Sequence, residues 1–153
     1  MEKTLTVGDY QSLAEFRHQI RRYLHFSERA ARNAGLEPRQ YQLLLAIKGL
    51  PSNLRPRIAE LADRLQIQHH SAVELVNRLE SGGMVRRERS KEDRREVLLQ
   101  LTQRGERLLR DLALYHRTEL RMQGPALLDA LRRVMQGKYQ SRKGSIQGHV
   151  RER

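Results

Sequence analysis

The chain of 153 residues carries 30 Lys or Arg against 18 Asp or Glu, a formal charge of +12, with 38% apolar residues, 5% aromatic residues and no Trp. That composition builds a helical, Leu/Ile/Val/Ala-rich core rather than an aromatic-lined enzyme pocket, and the charge suits a polyanion, either nucleic acid or an anionic membrane surface. The absence of Cys excludes disulfides, thiolate metal sites, cysteine nucleophiles and thiol-based redox control.

Residues 1–11 show no apolar core of signal-peptide type, and the longest apolar run, 43–47, is far short of the roughly 20 residues a membrane span needs. No membrane partner and a cytoplasmic setting are therefore expected. From Asp9 to about Asn33, Leu13, Phe16, Ile20 and Leu24 recur at helical spacing, and Ala34-Gly35 stops this first helix. Pro38 suits the first turn of a second helix, which runs through Tyr41, Leu44, Leu45 and Ile47 to Gly49-Leu50-Pro51. The Pro/Ser/Asn-rich stretch 51–56 reads as a short linker.

Two short helices follow in tandem. Ile58, Leu61, Ala62 and Leu65 stripe the first, and Ala72, Val73, Val76 and Leu79 the second, which spans 69–80 and ends at Ser81-Gly82-Gly83. The period then changes: 84–89 and 97–101 read as strands, joined by the charged turn 90–95. Thr102 is placed to cap a long helix that Gly124-Pro125 breaks, leaving a last helix with Leu127, Leu128, Leu131, Val134 and Met135. Residues 137–153 read as a basic flexible tail.

Helix, three-residue turn, helix and two-stranded ribbon is the order of a winged helix-turn-helix, in which the second helix lies in a major groove. On that helix Gln68, His69, His70, Ser71, Glu74, Asn77 and Arg78 carry the donors and acceptors that base edges require, with Glu74 also placed to orient Arg78 one turn on. The ribbon carries Arg86, Arg87, Arg89, Lys91, Asp93, Arg94 and Arg95. An arginine at its tip suits a minor groove, and a neighbouring carboxylate suits holding that guanidinium in one pose. The bland alternatives are a solvated helix face and a hairpin whose charges only prevent edge-to-edge aggregation.

Residues 58–65, His70-Ser71-Ala72-Val73, Arg78-Leu79-Glu80 and 83–87 resemble the MarR family of regulators. The wing adds Asp93 and Arg95 at the family's Asp-x-Arg spacing, then 97–102 and Gly105 as Leu-Thr-x-x-Gly. The resemblance covers about residues 9–136 and implies a mainly α fold with a small β-ribbon (α+β). It assigns 9–33 and 103–136 to a helical dimerisation region and 36–102 to the DNA-binding domain. It further implies a homodimer on a pseudo-palindromic duplex DNA operator, acting as a repressor released by a small aromatic acid. Apolar stripes on the terminal helices, with no partner in so small a core, point to the dimer independently. Arg17, His18, Arg21 and His25 are candidates for an acidic effector, against ordinary interface or surface roles.

Enzymatic chemistry is not expected. The six histidines include no His-x-x-x-His pair, and there is no Gly-rich phosphate loop or nucleophile elbow, so neither metal nor cofactor is anticipated. The alternatives to a ligand-switched regulator are a non-switching architectural or nucleoid-associated DNA-binding protein, and a winged helix that docks another protein.

Overall fold

The computed structural model describes residues 4–137; the basic tail inferred for 137–153 lies outside the described residues from 138 onward. The elements run α1 (Val7–Asn33), α2 (Pro38–Lys48), α3 (Ile58–Leu65), α4 (His69–Ser81), β1 (Val85–Arg89), β2 (Val97–Leu101) and α5 (Gln103–Met135).

Local chemistry sets most of these boundaries. Thr6 and Asp9 cap α1 reciprocally: the Asp9 N–H donates to Thr6 Oγ1 at 3.2 Å and the Thr6 N–H to Asp9 Oδ2 at 2.8 Å. Those donors, the Thr6 backbone first and its hydroxyl second, hold the Asp9 carboxyl below its ordinary value. Gly35, at φ 81°, supplies the left-handed residue that ends α1, and the Leu36 N–H returns to the Ala31 carbonyl at 2.9 Å. At the start of α2, Pro38 occupies a position where no N–H is needed, and Gln40 Oε1 accepts the Glu37 N–H at 2.9 Å.

One compact unit comprises residues 22–123, taking in 22–33 and 103–123 together with the winged segment. Its core is aliphatic: Leu43, Leu44, Leu61, Val76, Leu79, Val85 and Leu99 are the largest fully buried side chains. Each contributes about 1.5–3 kcal/mol of apolar burial. On α4 the buried face is Ala72, Leu75, Val76 and Leu79, while Val73 is only half-buried. The strands pair antiparallel with Val85 opposite Leu101 and Arg89 opposite Val97. Val85 and Leu99 thereby share the buried face of the ribbon, and the other face carries Arg86, Glu88 and Gln100 beside half-buried Leu98.

The other unit comprises 1–21 and 124–153, described here for 4–21 and 124–137. Gln19 and Ala130 are buried in it, whereas Leu5, Val7, Tyr10, Leu13, Leu128, Leu131 and Met135 are exposed. Contrary to the break expected at Gly124-Pro125, α5 continues through Pro125 to Met135. A proline removes one i→i−4 hydrogen bond, at a cost of about 3 kcal/mol in a helix interior. Long runs of Leu, Ala and Arg on both sides favour propagation across that single defect.

Candidate nucleic-acid interface

The turn between α3 and α4 is held by main chain. Gln66 adopts a left-handed φ of 53°, unusual for a residue with a Cβ, and its side-chain amide Nε2 donates to the Asp63 carbonyl at 2.7 Å. The Ile67 N–H then reaches the Ala62 carbonyl at 3.0 Å, closing α3 and aiming the chain into α4. Leu61 and Leu79 are both fully buried, so α3 braces α4 from one side.

With the inner face of α4 buried, Gln68, His69, His70, Glu74, Asn77 and Arg78 are exposed and Ser71 is half-buried. These candidates divide into two groups. Arg78 pairs with Glu37 at 3.0 Å, and Asn77 Oδ1 accepts from Arg87 at 2.7 Å while Arg87 also pairs with Glu80 at 2.5 Å. The second half of α4 is thus engaged with Glu37 at the N-cap of α2 and with β1, and the expected orientation of Arg78 by Glu74 is replaced by Glu37. No hydrogen bond or ion pair engages the side chains of Gln68, His69, His70 or Glu74 among the described residues, leaving the first turns of α4 open to a partner.

The ribbon divides likewise. Arg86 is taken up by Gln100 and Glu88, each at 2.9 Å, and Arg89 donates to the Arg94 carbonyl at 3.0 Å. The side chains of Lys91, Arg94 and Arg95 are exposed and have no partner among the described residues. Asp93 does not grip the Arg95 guanidinium as expected; its Oδ1 accepts the Arg95 backbone N–H at 2.9 Å. It shapes the turn that carries Arg95, in the manner of aspartates that bond the main chain two residues on. His69 from α4 and Asp93 and Arg95 from the wing line one notch with Arg57, of about 420 Å³.

Thr102 ties the ribbon to α5. Its hydroxyl donates to the Gly83 carbonyl at 2.6 Å and accepts the Gly105 N–H at 3.1 Å, and its own N–H reaches the Met84 carbonyl at 3.0 Å. The threonine acts as the anticipated N-cap and as a clasp on the turn after α4.

Sequence reasoning missed Arg55, Ser90 and Glu96, which fasten the tip of the ribbon to the segment it read as a bare linker. Their only sequence signal is the alternation of charge in Arg55-Pro56-Arg57 and Glu92 through Glu96, which carries no register. Of the effector candidates, Arg17, His18, Arg21 and His25 are all exposed. His25 lines a groove of about 340 Å³ within residues 22–123, with Arg29, Phe26, Tyr115 and Gln123 among its other walls. Gln123 Oε1 is buried there without a hydrogen-bond partner. Among the described residues no cluster of His, Asp and Glu suits a metal ion, and no helix is long and apolar enough to cross a membrane.

Residues 34–96 match the model of the MarR family. Over 56 residues the chain is 34% identical to the uncharacterized HTH-type transcriptional regulator YfiV of Bacillus subtilis, a match spanning 37% of this chain and 35% of that protein. The similarity therefore covers about a third of the curated relative it matches. Among solved structures, AbsC, a MarR family transcriptional regulator from Streptomyces coelicolor, is similar at a TM-score of 0.66 and 24% identity, over 80% of this chain and 82% of AbsC. A mutant of S. aureus MepR bound to an oligodeoxyribonucleotide is similar at a TM-score of 0.57 and 18% identity, over 74% of this chain and 80% of that one. Both likenesses are of fold: helices flanking a helix-turn-helix and a two-stranded wing.

Proposed function

We propose that this chain, whose residues 34–96 match the MarR family model, belongs to that family and is a sequence-specific transcription regulator that binds duplex DNA as a homodimer. The observation that carries the reading is the division of side chains at the interface. The polar side chains Asn77, Arg78 and Glu80 of α4 and Arg86, Arg87, Glu88 and Arg89 of β1 are engaged within the protein, while Gln68, His69, His70 and Glu74 at the start of α4 and Lys91, Arg94 and Arg95 on the wing are left open among the described residues. Hydrogen-bonding groups on an exposed helical turn suit base edges in a major groove, and unpaired guanidiniums on a thin ribbon suit a minor groove.

The dimer is supported by Leu5, Val7, Tyr10, Leu13, Leu128, Leu131 and Met135, apolar side chains whose exposure on a lone chain is unfavourable. In this reading 9–33 and 103–136 form the dimerisation region and 36–102 the DNA-binding domain, and two copies meet a pseudo-palindrome. Repression relieved by a small aromatic acid fits the groove lined by His25, Arg29, Phe26 and Tyr115, which offers a guanidinium and an imidazole beside aromatic rings. The S. aureus MepR mutant bound to an oligodeoxyribonucleotide supports DNA as the partner through its likeness of fold.

Selection of duplexes from a random pool, followed by binding measurements across salt concentrations, tests the reading. An inverted repeat is expected, with log K falling against log salt at about −0.9 per phosphate for roughly 6 to 10 phosphates. Salt-dependent binding with no sequence preference would instead identify an architectural protein, and a slope near zero would remove DNA as the partner.

A further inference from the structure

Arg55 leaves the segment between α2 and α3 and reaches the tip of the ribbon. Its guanidinium donates to the carboxylates of Glu92 and Glu96 and, at 3.2 Å, to Ser90 Oγ. Around that point the tip is closed on itself. The Ser90 N–H donates to the Glu96 carbonyl at 2.9 Å and the Glu96 N–H to the Asp93 carbonyl at 3.0 Å. Ser90 Oγ accepts the N–H groups of Glu92 and Asp93 at 3.2 and 3.3 Å. Ser90 is only 6% exposed and the Glu96 side chain 13%, although residues 91–95 between them are exposed.

The backbone next to Arg55 reinforces the attachment, since the Leu99 N–H of β2 donates to the Pro56 carbonyl at 2.9 Å. Arg57 brings a second cation to Glu96 at 3.3 Å. An isolated exposed ion pair contributes little. A planar fork that meets two carboxylates and a buried hydroxyl is a different case, because each bond restricts the others and the geometry suits Arg but not Lys. The charges also sort themselves: Glu92 and Glu96, which would repel a phosphate backbone, are balanced inside the protein by Arg55 and Arg57. Lys91, Arg94 and Arg95 remain unpaired among the described residues.

We infer that Arg55 is the positioning residue of the wing, holding the tip so that Arg95 meets the minor groove in a fixed pose while itself contacting no DNA, an inference that rests on the winged helix binding duplex DNA. It differs from the plain expectation for a cation in a basic protein, which is a phosphate contact.

Two measurements on the full chain separate these roles. Amide hydrogen exchange of the free protein is read at Ser90, Glu92, Asp93 and Glu96. Affinity is read on a duplex that the wild-type chain selects from a random pool. Arg55→Gln should raise exchange at those amides at least about tenfold and weaken binding about tenfold, the loss expected when charged hydrogen bonds at a network are removed. In an Arg95→Ala background the same change should cost less than about twofold, since a residue acting through another adds nothing once that other is gone. Arg55→Lys, which keeps the charge but not the fork, should fall between wild type and Arg55→Gln and guards against a variant that fails to fold. Unchanged exchange, or an undiminished loss in the Arg95→Ala background, would overturn the positioning role. Faster exchange with no effect of either Arg55→Gln or Arg95→Ala on affinity would overturn the wing as a DNA contact, a distinct failure.

Discussion

The imidazole of His116 lies stacked on the phenol of Tyr41, with ring centroids 4.5 Å apart and planes inclined by 18°. Phe26 meets the same imidazole edge-on at 5.5 Å, so α1, α2 and α5 converge on one buried ring within residues 22–123. In the neutral ring Nδ1 donates to the Leu112 carbonyl at 2.7 Å, and Nε2 accepts the Ser27 hydroxyl at 2.8 Å. Both nitrogens are satisfied, which is why a polar residue is tolerated at 4% exposure. His116→Ala should destabilise the fold by about 2–4 kcal/mol, as expected of a large-to-small change that also strips the Ser27 hydroxyl of its partner. Urea denaturation checks this, and a cost under about 0.5 kcal/mol would mean the site collapses freely around the loss.

Tyr41 supplies a pH dependence. Burial first, and the neighbouring Tyr23 phenol second, push its pKa from 10.0 up to about 12. The folded state thus holds the phenol proton more tightly than the unfolded chain. The resulting stability is fully present below about pH 10 and is lost as pH rises from there towards 12. Tyr41→Phe should flatten the decline in denaturation midpoint across that window, leaving the variant less sensitive to alkali than the wild type.

Gly105 has a steric reason for being glycine. A Cβ there would drive into the Met84 carbonyl, the same oxygen that accepts the Thr102 N–H at 3.0 Å. Gly105→Ala must push α5 away from the turn after α4 and should cost about 1–3 kcal/mol, the usual range for overpacking. Thr102→Ala should cost about 1 kcal/mol as a lost cap. The two should be non-additive, because both loosen one junction. Thermal denaturation of the single and double variants provides the comparison.

These junctions show what could be read in advance. The order of helices, the bounds of β2 and the cap at Thr102 follow from periodicity and cap chemistry, which act over a few residues. The Leu-Thr-x-x-Gly motif was visible as a pattern, but its reason, a glycine pressed on the Met84 backbone, needs the fold. Pairings such as Arg78 with Glu37, 41 residues apart, and Arg55 with Glu92, 37 apart, leave no periodic trace. Leu75 rather than Val73 faces the core because α3 and β1 together set the rotation of α4, which a stripe alone does not fix. The break expected at Pro125 failed because one lost hydrogen bond does not outweigh strong helix formers on both sides.

The reading helix should show a gradient along its length. His70→Ala or Glu74→Ala should alter preference among variants of a selected duplex, with roughly 1–3 kcal/mol at stake for each good base contact. Ser71→Ala should do so less, since Ser71 is half-buried. Arg78→Ala should lower affinity without changing preference, because Glu37 already engages its guanidinium. Competition binding against single-base variants measures both effects. A larger change of preference for Arg78→Ala than for His70→Ala would place the readout in the wrong half of α4.

The wing offers the sharpest contrast, because geometry and charge predict opposite signs at one residue. Arg95 is unpaired among the described residues, so Arg95→Ala should weaken binding to a selected duplex at least about tenfold with the fold intact, most strongly where flanking A·T sequence narrows the minor groove. Asp93 removes positive charge from the wing, and on electrostatics alone its loss should favour a polyanion. Yet Asp93 Oδ1 accepts the Arg95 N–H at 2.9 Å and so sets the path of the chain that presents Arg95. Asp93→Ala abolishes that bond and should weaken binding despite the gain in net charge. Asp93→Asn keeps an acceptor oxygen and loses the charge, so it should bind as well as the wild type or slightly better. Had the carboxylate acted by pairing with the guanidinium, Asn would fail as Ala does. In the Arg95→Ala background, Asp93→Ala should have little further effect, since the turn would then present nothing. Tighter binding by Asp93→Ala, with Arg95→Ala losing no more than Arg94→Ala, would reduce the tip to a diffuse positive patch.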